Sequence, residues 1–529
     1  MSTTNRTIAR AGMIVSGAFL ASRLLGWVRV VIIGNAFGGE SAQLDAFYAA
    51  FRIPDLLYQL AAAGALSSAL IPMLAGLFAK DEIDRAWRLV STIVNLMLVT
   101  LAVLGLIVIL TAPILVDTII APGFDEETKA LTVQLTRIMV LSATFLALGA
   151  VATSVLNSRH RFAAAAIAPI CYNLAIIGAA IILAPSLGAV GLAIGVVAGA
   201  IAHLAIQLPP VRRLGYRWRP ATDTHDPVAR RTLALMAPRA IGLGATQITF
   251  VVVTALASTL GVGAVTSFTI AFTLLQIPIG IIGVPLGVVL FPTLSREAAL
   301  GNLDVFRALL VRAMRVIVFV MIPVAGLTAI LPSESVALLF PTFTPSAVQL
   351  TAATLLAFSV GLVAHALIAV LARAFYATQD TLTPVLAAVG AVVVNTVLAV
   401  LLITPLGLPG IALAIAIAAW LEAGTLLILL WRRTPGLDLT TVGWVAIRTV
   451  GAAAFASIVG LLVERWASAT LLAGGSTGLS AVPGLAATIA LVSLAFGVVF
   501  ATIALALRIT ELRSIVEIML DALRRPRRT

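Results

Sequence analysis

The chain has 529 residues, 61% of them hydrophobic and only 11% charged, with a mean hydropathy of +1.12. An ordinary soluble domain is about one quarter charged, so a soluble globular protein is excluded. A single cysteine, Cys171, supports neither an internal disulfide nor a thiolate metal site, and the net charge of +12 comes from Lys and Arg scattered through short loops, the pattern of inner-leaflet anchors rather than of a nucleic-acid surface.

In chain order, apolar runs bounded by charge, Pro or Gly predict fourteen spans. They fall near 12–34, 46–78, 88–116, 133–157, 163–184, 187–208, 233–259, 265–293, 306–331, 347–376, 382–404, 408–431, 442–464 and 484–507. These runs are too long and too continuously apolar for barrel strands, and only helices or closed barrels satisfy their backbone in lipid. The expected fold is an all-α polytopic membrane protein. The opening "MSTTNRTIAR" leads straight into the first run with no cleavage signal, so the first helix is expected to remain.

Basic residues alternate with the spans. Lys80, Arg85, Arg88, Arg159, Arg161, Arg212, Arg213, Arg217, Arg219, Arg230, Arg231, Arg296, Arg307, Arg312, Arg432, Arg433 and the ending "RRPRRT" fall on one side, while the other holds little basic charge beyond Lys129 and Arg465 and carries Asp117, Asp125, Glu126, Glu127, Glu334 and Glu464. The positive-inside rule then places both termini in the cytoplasm.

An internal repeat accompanies the spans. "FRIP" ending at Pro54 and "LQIP" ending at Pro278 are 224 residues apart; Gly188 and Gly191 match Gly407 and Gly410 at 219; Asn173 matches Asn395 at 222. Three near-equal offsets predict two six-helix lobes, over residues 1–220 and 221–435, followed by two additional helices over 436–508 and a basic tail over 509–529. Six being even, the lobes would share one orientation about an axis along the membrane normal.

The chemistry concentrates where charge meets lipid. Arg23 and Arg29 lie six residues apart in "LASRLLGWVRVVIIG", about 9 Å along a helix. Each mid-span cation costs about 2.5 to 3.5 kcal/mol on insertion scales and marks a pathway or site; the alternative for Arg29 is snorkelling to the headgroups. In the second span Arg52 precedes Asp55 by three residues, with Pro54 between them. This reads as a mobile gate, or as a structural kink with a self-neutralised pair. Asp45, near the level of Arg29, adds a candidate ion-pair gate. Glu422 is a rare carboxylate in an apolar span, a candidate proton or cation coupling site or a helix-packing residue. His160, His203, His225 and His365 are too dispersed for a metal cluster, and no phosphate loop or Ser/His/Asp grouping is present, so neither metal, cofactor nor enzyme activity is expected.

The motifs "SRLLGWVR", "DAFYAAFRIPDLL", "GALSSALIP", "APGF", "LNSRHRF", "FPTLS" and "ARAFYATQDTLTP", in this order and spacing, resemble the MurJ/MviN family of the multidrug/oligosaccharidyl-lipid/polysaccharide exporter superfamily, over about residues 10 to 435. The resemblance implies two lobes around a cationic cavity and a flippase that carries lipid II, an undecaprenyl-pyrophosphate-linked peptidoglycan precursor, to the outer leaflet of the bacterial inner membrane. It places Arg23, Arg29 and Arg52 as substrate-binding residues, with membrane lipids and cell-wall synthesis proteins as further partners. The chain departs from the family pattern that the resemblance implies at Val30, Tyr58, Ala63, Phe272 and Thr273, where two cations and three acids are replaced. A flippase for another polyprenyl-linked glycan and a cation-coupled small-molecule exporter are the alternative functions, and a non-transporting scaffold for cell-wall enzymes is a third.

Overall fold

The computed structural model describes residues 3–61, 65–220, 222–472 and 475–512; within its helices the side chains of 1–16, 19, 61–68, 237–243, 245 and 246 are outside the description. Ala63 and the basic tail from 513 therefore lie outside the described residues. All regular structure among the described residues is helical.

Two compact units, Met1–Thr266 and Ser267–Thr529, divide the chain. The first holds α1 (Thr3–Phe37), α2 (Ala42–Ala50), α3 (Arg52–Ala61), α4 (Ala65–Ala79), α5 (Ile83–Leu115), α6 (Glu126–Ser158), α7 (Phe162–Ile182), α8 (Ala184–Leu187), α9 (Ala189–Ala205), α10 (Leu208–Arg213) and α11 (Pro227–Ser258). The second follows the start of α12 (Ala264–Pro278) with α13 (Val284–Ala299), α14 (Leu303–Ile330), α15 (Pro332–Leu339), α16 (Pro345–Ser359), α17 (Leu362–Ala377), α18 (Leu382–Leu406), α19 (Leu408–Arg433), α20 (Leu439–Leu471) and α21 (Val482–Ala506). Eleven helical segments are long and apolar enough to cross a membrane, and the bent pair α16 and α17 makes a twelfth. The two other expected spans, 46–78 and 233–259, both include residues outside the description. The protein is a multi-pass membrane protein.

Polar residues start these apolar helices. Asp125 accepts from Thr128 N at 2.7 Å to cap α6, Thr344 caps α16, and Asp438 caps α20 through Thr440 N and Thr441 N. Such side chains satisfy N–H groups that have no intrahelical partner, worth about 1 kcal/mol each. Inside the spans hydroxyls bond back along their own helix, as Thr132 does to Thr128 O and Thr136 to Thr132 O, which satisfies those hydroxyls where no water is at hand.

Close helix packing comes from small residues. Gly191, Gly195 and Gly199 form a stripe on α9 at four-residue spacing. A Cβ on Gly195 would stand 2.3 Å from Ala179 Cβ, and one on Gly199 would stand 2.8 Å from the Tyr172 carbonyl oxygen and 3.0 Å from its ring. The backbones of α7 and α9 thus meet as small-xxx-small surfaces meet in membranes. Tyr172, pressed from behind by α9, faces α1.

The repeat read from the sequence has a local structural counterpart. Gly188, with φ 56° and ψ −140°, opens α9, and Gly407, with φ 60° and ψ −139°, opens α19. Gly191 N and Gly410 N each donate to the opening glycine's carbonyl at 3.1 Å. A side chain is strongly disfavoured at this backbone conformation, so both turns require glycine.

At the basic end of the first unit, the segment before α11 is strapped onto α5. Asn95 Nδ2 donates to Arg219 O at 2.8 Å, Trp218 Nε1 donates to Asn95 Oδ1 at 2.8 Å, and Asp223 N donates to the Thr92 hydroxyl at 3.0 Å. Arg85 Nε donates to Asp226 Oδ2 at 2.8 Å. Asp226 also caps α11 through Val228 N, and the Arg85 guanidinium holds its carboxyl below the usual carboxylate range.

Two outcomes follow for stability. Gly195→Val forces α7 from α9 and should lower stability by about 1 to 3 kcal/mol, read as a lower unfolding midpoint of the purified protein; an unchanged midpoint would refute the close packing. Because folding depresses the Asp226 pKa, its pairing with Arg85 contributes above the ordinary carboxylate value of about 3.9 and is lost as pH falls through the lower folded value. The stability difference between the unsubstituted chain and Arg85→Gln should therefore be present near neutral pH and shrink in strong acid. A difference that grows on acidification contradicts that sign.

Candidate functional site

The charged groups that the sequence places within apolar runs of the first unit lie on α1, α2 and α3, and α1 packs on α7 while α3 packs on α11. On α1, Arg23 and Arg29 are both partly buried. Asn173 of α7 donates to the carbonyl of Ser22, beside Arg23, at 3.3 Å. One and a half turns further on, the Arg29 guanidinium stands over the Tyr172 ring at 5.9 Å. An aromatic face stabilises a partly desolvated cation by about 0.5 to 2 kcal/mol, and Gly199 sets the ring's position from the far side.

Pro54 lies in the first turn of α3, directly after the break at Phe51. Its ring cannot supply the N–H that would continue the ladder from α2. The break lets Arg52 and Asp55 reach outward. Arg52 Nε donates to the Thr254 hydroxyl at 2.8 Å, and its guanidinium lies 5.3 Å from the Phe250 ring centre. Asp55 Oδ2 accepts from Gln247 Nε2 at 3.0 Å. The expected Arg52 and Asp55 pair does interact electrostatically, but both side chains also bind α11. Gln247 and Thr254, two turns apart, meet Arg52 and Asp55 in reverse order, which makes α3 and α11 antiparallel.

Asp45 behaves differently from the expected gate. Its Oδ2 accepts from Gly263 N at 2.6 Å, and its Oδ1 accepts from Thr266 N at 2.7 Å and from the Thr266 hydroxyl at 2.6 Å. The described residues hold no ion pair between Asp45 and Arg29, because the uncommitted N–H groups at the start of α12 claim the carboxylate. Asp45 is nonetheless close enough to act electrostatically on Tyr48, as are Arg29 and Arg52. Tyr48 is 9% exposed, and its hydroxyl is buried with no partner.

In the second unit Glu422 of α19 is partly buried, and both it and Arg373 of α17 act electrostatically on Tyr376. Arg373 reaches back to Ala369 O over Gly287, where a Cβ would stand 2.6 Å from its Nη1. Among the family departures, Val30 is buried. Phe272 packs on Phe268 and Phe358 at 6.1 and 5.6 Å, and Thr273 bonds back to Thr269 O. An aromatic cluster thus occupies the place of a charged pair.

Sequence reading singled out Arg23, Arg29, Arg52, Asp45, Pro54 and Asp55 but missed Tyr48, Tyr172, Gln247, Thr254 and Thr266. For α11 a signal existed: Gln247 and Thr254 are the seven-residue-spaced polar positions of an apolar run, on one helical face. No group of His, Cys, Asp and Glu suited to a metal ion occurs among the described residues.

These features define the class: a polytopic helical membrane protein with guanidinium groups held inside its first unit. Among solved structures the chain shares its fold with one titled "Lipid II flippase MurJ, inward closed conformation", at TM-score 0.76 and 22% identity over 94% of this chain and 99% of that one. It also shares it with an inward-facing multidrug resistance MATE family transporter of the MOP superfamily, at TM-score 0.68 and 15% identity over 79% and 96%. By sequence it is 34% identical to a probable lipid II flippase MurJ of Rhizobium tropici, over 88% of each chain. It is also 34% identical to the lipid II flippase MurJ of Burkholderia cenocepacia, over 84% of this chain and 88% of that one. The family described as "Lipid II flippase MurJ" matches residues 33–478. The chain belongs to the MurJ lipid II flippase family.

Asp45→Ala leaves buried N–H groups of Gly263 and Thr266 without acceptors, at about 1 to 3 kcal/mol each. It should lower the unfolding midpoint of the substrate-free protein. A variant with normal stability and impaired transport would return Asp45 to the role of a gate.

Proposed function

We propose that this chain is a lipid II flippase, moving the undecaprenyl-pyrophosphate-linked peptidoglycan precursor from the inner to the outer leaflet of a bacterial inner membrane, with both termini cytoplasmic. One observation carries the reading: Arg29 and Arg52 are held within membrane helices by aromatic faces and neutral hydroxyls. A guanidinium stays charged throughout, and its planar fork suits the paired oxygens of a diphosphate. Arg23, on the same helix, is assigned to the same ligand. Asp55 and Pro54 form the hinge region of the gate, and Asp45 anchors it.

Transport works by exposing this cluster alternately to each leaflet. The diphosphate cannot cross hydrocarbon unaided, because a buried charge without counter-charge is prohibitively costly. The chain is read as lobes over 1–220 and 221–435, two additional helices over 436–508 and a basic tail over 509–529. The like-shaped turns at Gly188 and Gly407 support the two-lobe reading. Glu422, beside Tyr376 and Arg373, is assigned to ion coupling, and enzymes of cell-wall synthesis are assigned as partners.

Depletion of the protein in its host should accumulate lipid II in the inner leaflet, scored by leaflet-specific labelling. Arg29→Ala and Arg52→Ala should each fail to reverse this, since losing one partner of a buried charged contact costs about 2 to 5 kcal/mol, a rate loss of at least about thirtyfold. Normal outer-leaflet delivery after depletion would end the flippase reading.

A further inference from the structure

The hydrogen-bonding inventory of the Arg29 and Arg52 cluster is one-sided. Guanidinium groups donate and never accept. Of the acceptors nearby, both Asp45 oxygens are taken by Gly263 and Thr266. Asp55 accepts from Gln247. The Thr254 hydroxyl accepts from Arg52 and donates to Phe250 O. Into this setting α2 turns Tyr48, whose ring packs against Phe47 at 5.6 Å. Its hydroxyl is buried and has no partner; Tyr48 stands three residues after Asp45 and four before Arg52 along α2 and the start of α3, and the charges of Arg29, Arg52 and Asp45 all reach it.

A neutral phenol at physiological pH is a donor in need of an acceptor. A buried polar group left unsatisfied destabilises the fold, so Tyr48 is poorly explained as a stabilising core residue: phenylalanine would fill the same volume without the unsatisfied group. The missing acceptor is of the kind that two adjacent guanidiniums would themselves attract, an anion rich in oxygen.

We propose that Tyr48 is a substrate-binding residue whose hydroxyl donates to a diphosphate oxygen of the polyprenyl-linked ligand held by Arg29 and Arg52. The assignment rests on the flippase reading and adds to it a neutral donor that senses the presence of the second phosphate. A single phosphate can be gripped by the guanidiniums alone; a diphosphate offers further oxygens, and the phenol is placed to take one. Tyr48 therefore contributes discrimination between diphosphate and monophosphate polyprenyl lipids rather than bulk attraction. Tyr172 has a different role, its ring being the aromatic face over the Arg29 guanidinium.

The experiment uses the purified full chain in lipid nanodiscs, with undecaprenyl diphosphate and undecaprenyl monophosphate as the probes. It compares binding affinity and unfolding midpoint for the unsubstituted protein, Tyr48→Phe and Arg52→Ala. Tyr48→Phe should weaken diphosphate binding about tenfold, as expected for a hydrogen bond to a charged acceptor. It should change monophosphate binding much less and leave the ligand-free unfolding midpoint equal or higher. This opposition of signs is what a merely structural tyrosine would not give. If diphosphate affinity is unchanged, or if it falls together with the unfolding midpoint, the proposal is overturned. If Arg52→Ala weakens diphosphate binding and Tyr48→Phe does not, the proposal fails alone. If the unsubstituted protein does not bind diphosphate lipid, the flippase reading fails and the proposal with it.

Discussion

A cation can stay in a membrane helix only where the protein replaces the water it has lost, and the first unit is organised around that requirement. Arg29 receives an aromatic face from α7; Arg52 receives an aromatic ring and a hydroxyl from α11. A tight ion pair would have solved the desolvation problem more completely and left the guanidinium's donors committed. Rings and hydroxyls stabilise the charge by smaller amounts than such a pair does.

That solution places strict demands on helix packing. Tyr172 serves Arg29 only if α7 holds it against α1, and α7 is pressed there by a helix whose contact face has been reduced to glycine. The stripe at Gly191, Gly195 and Gly199 is thus a condition of the electrostatics as well as of the fold. On the opposite side Asp45 joins the start of α2 to the start of α12 across more than two hundred residues of sequence. Its three short bonds fix the height at which Arg52, two turns along the chain, meets Thr254.

How much of this was legible in the sequence depends on the range of the interaction. The helical class was readable because lipid permits few alternatives, and Arg23, Arg29 and Arg52 were readable because charge in an apolar run is conspicuous. The repeat was readable at Gly188 and Gly407 because one backbone conformation admits only glycine, and the same turn is made twice. The partner of Asp45 was not readable: the matching level of Arg29 suggested an ion pair, whereas the actual ligands are backbone N–H groups, which every residue but proline carries. Gln247 and Thr254 left a faint trace as two polar positions on one helical face. Tyr48 and Tyr172 left none, since a tyrosine in a span is ordinary until its hydroxyl's partner, or lack of one, is known.

The departures from the family pattern become intelligible in the same terms. Where the family often carries a charged pair, Phe272 and Thr273 are accommodated by ring packing and by a hydroxyl turned back on its own helix, so removing both charges leaves no orphan behind. Losing one member alone would have stranded the other in a low-dielectric interior. The arginines that remain therefore operate in a sparser field of charge, with fewer fixed anions competing for them. In such a field neutral donors gain weight, because a hydrogen bond is stronger when little else screens it. Tyr48, buried among donors and with no acceptor of its own, is where that weight falls.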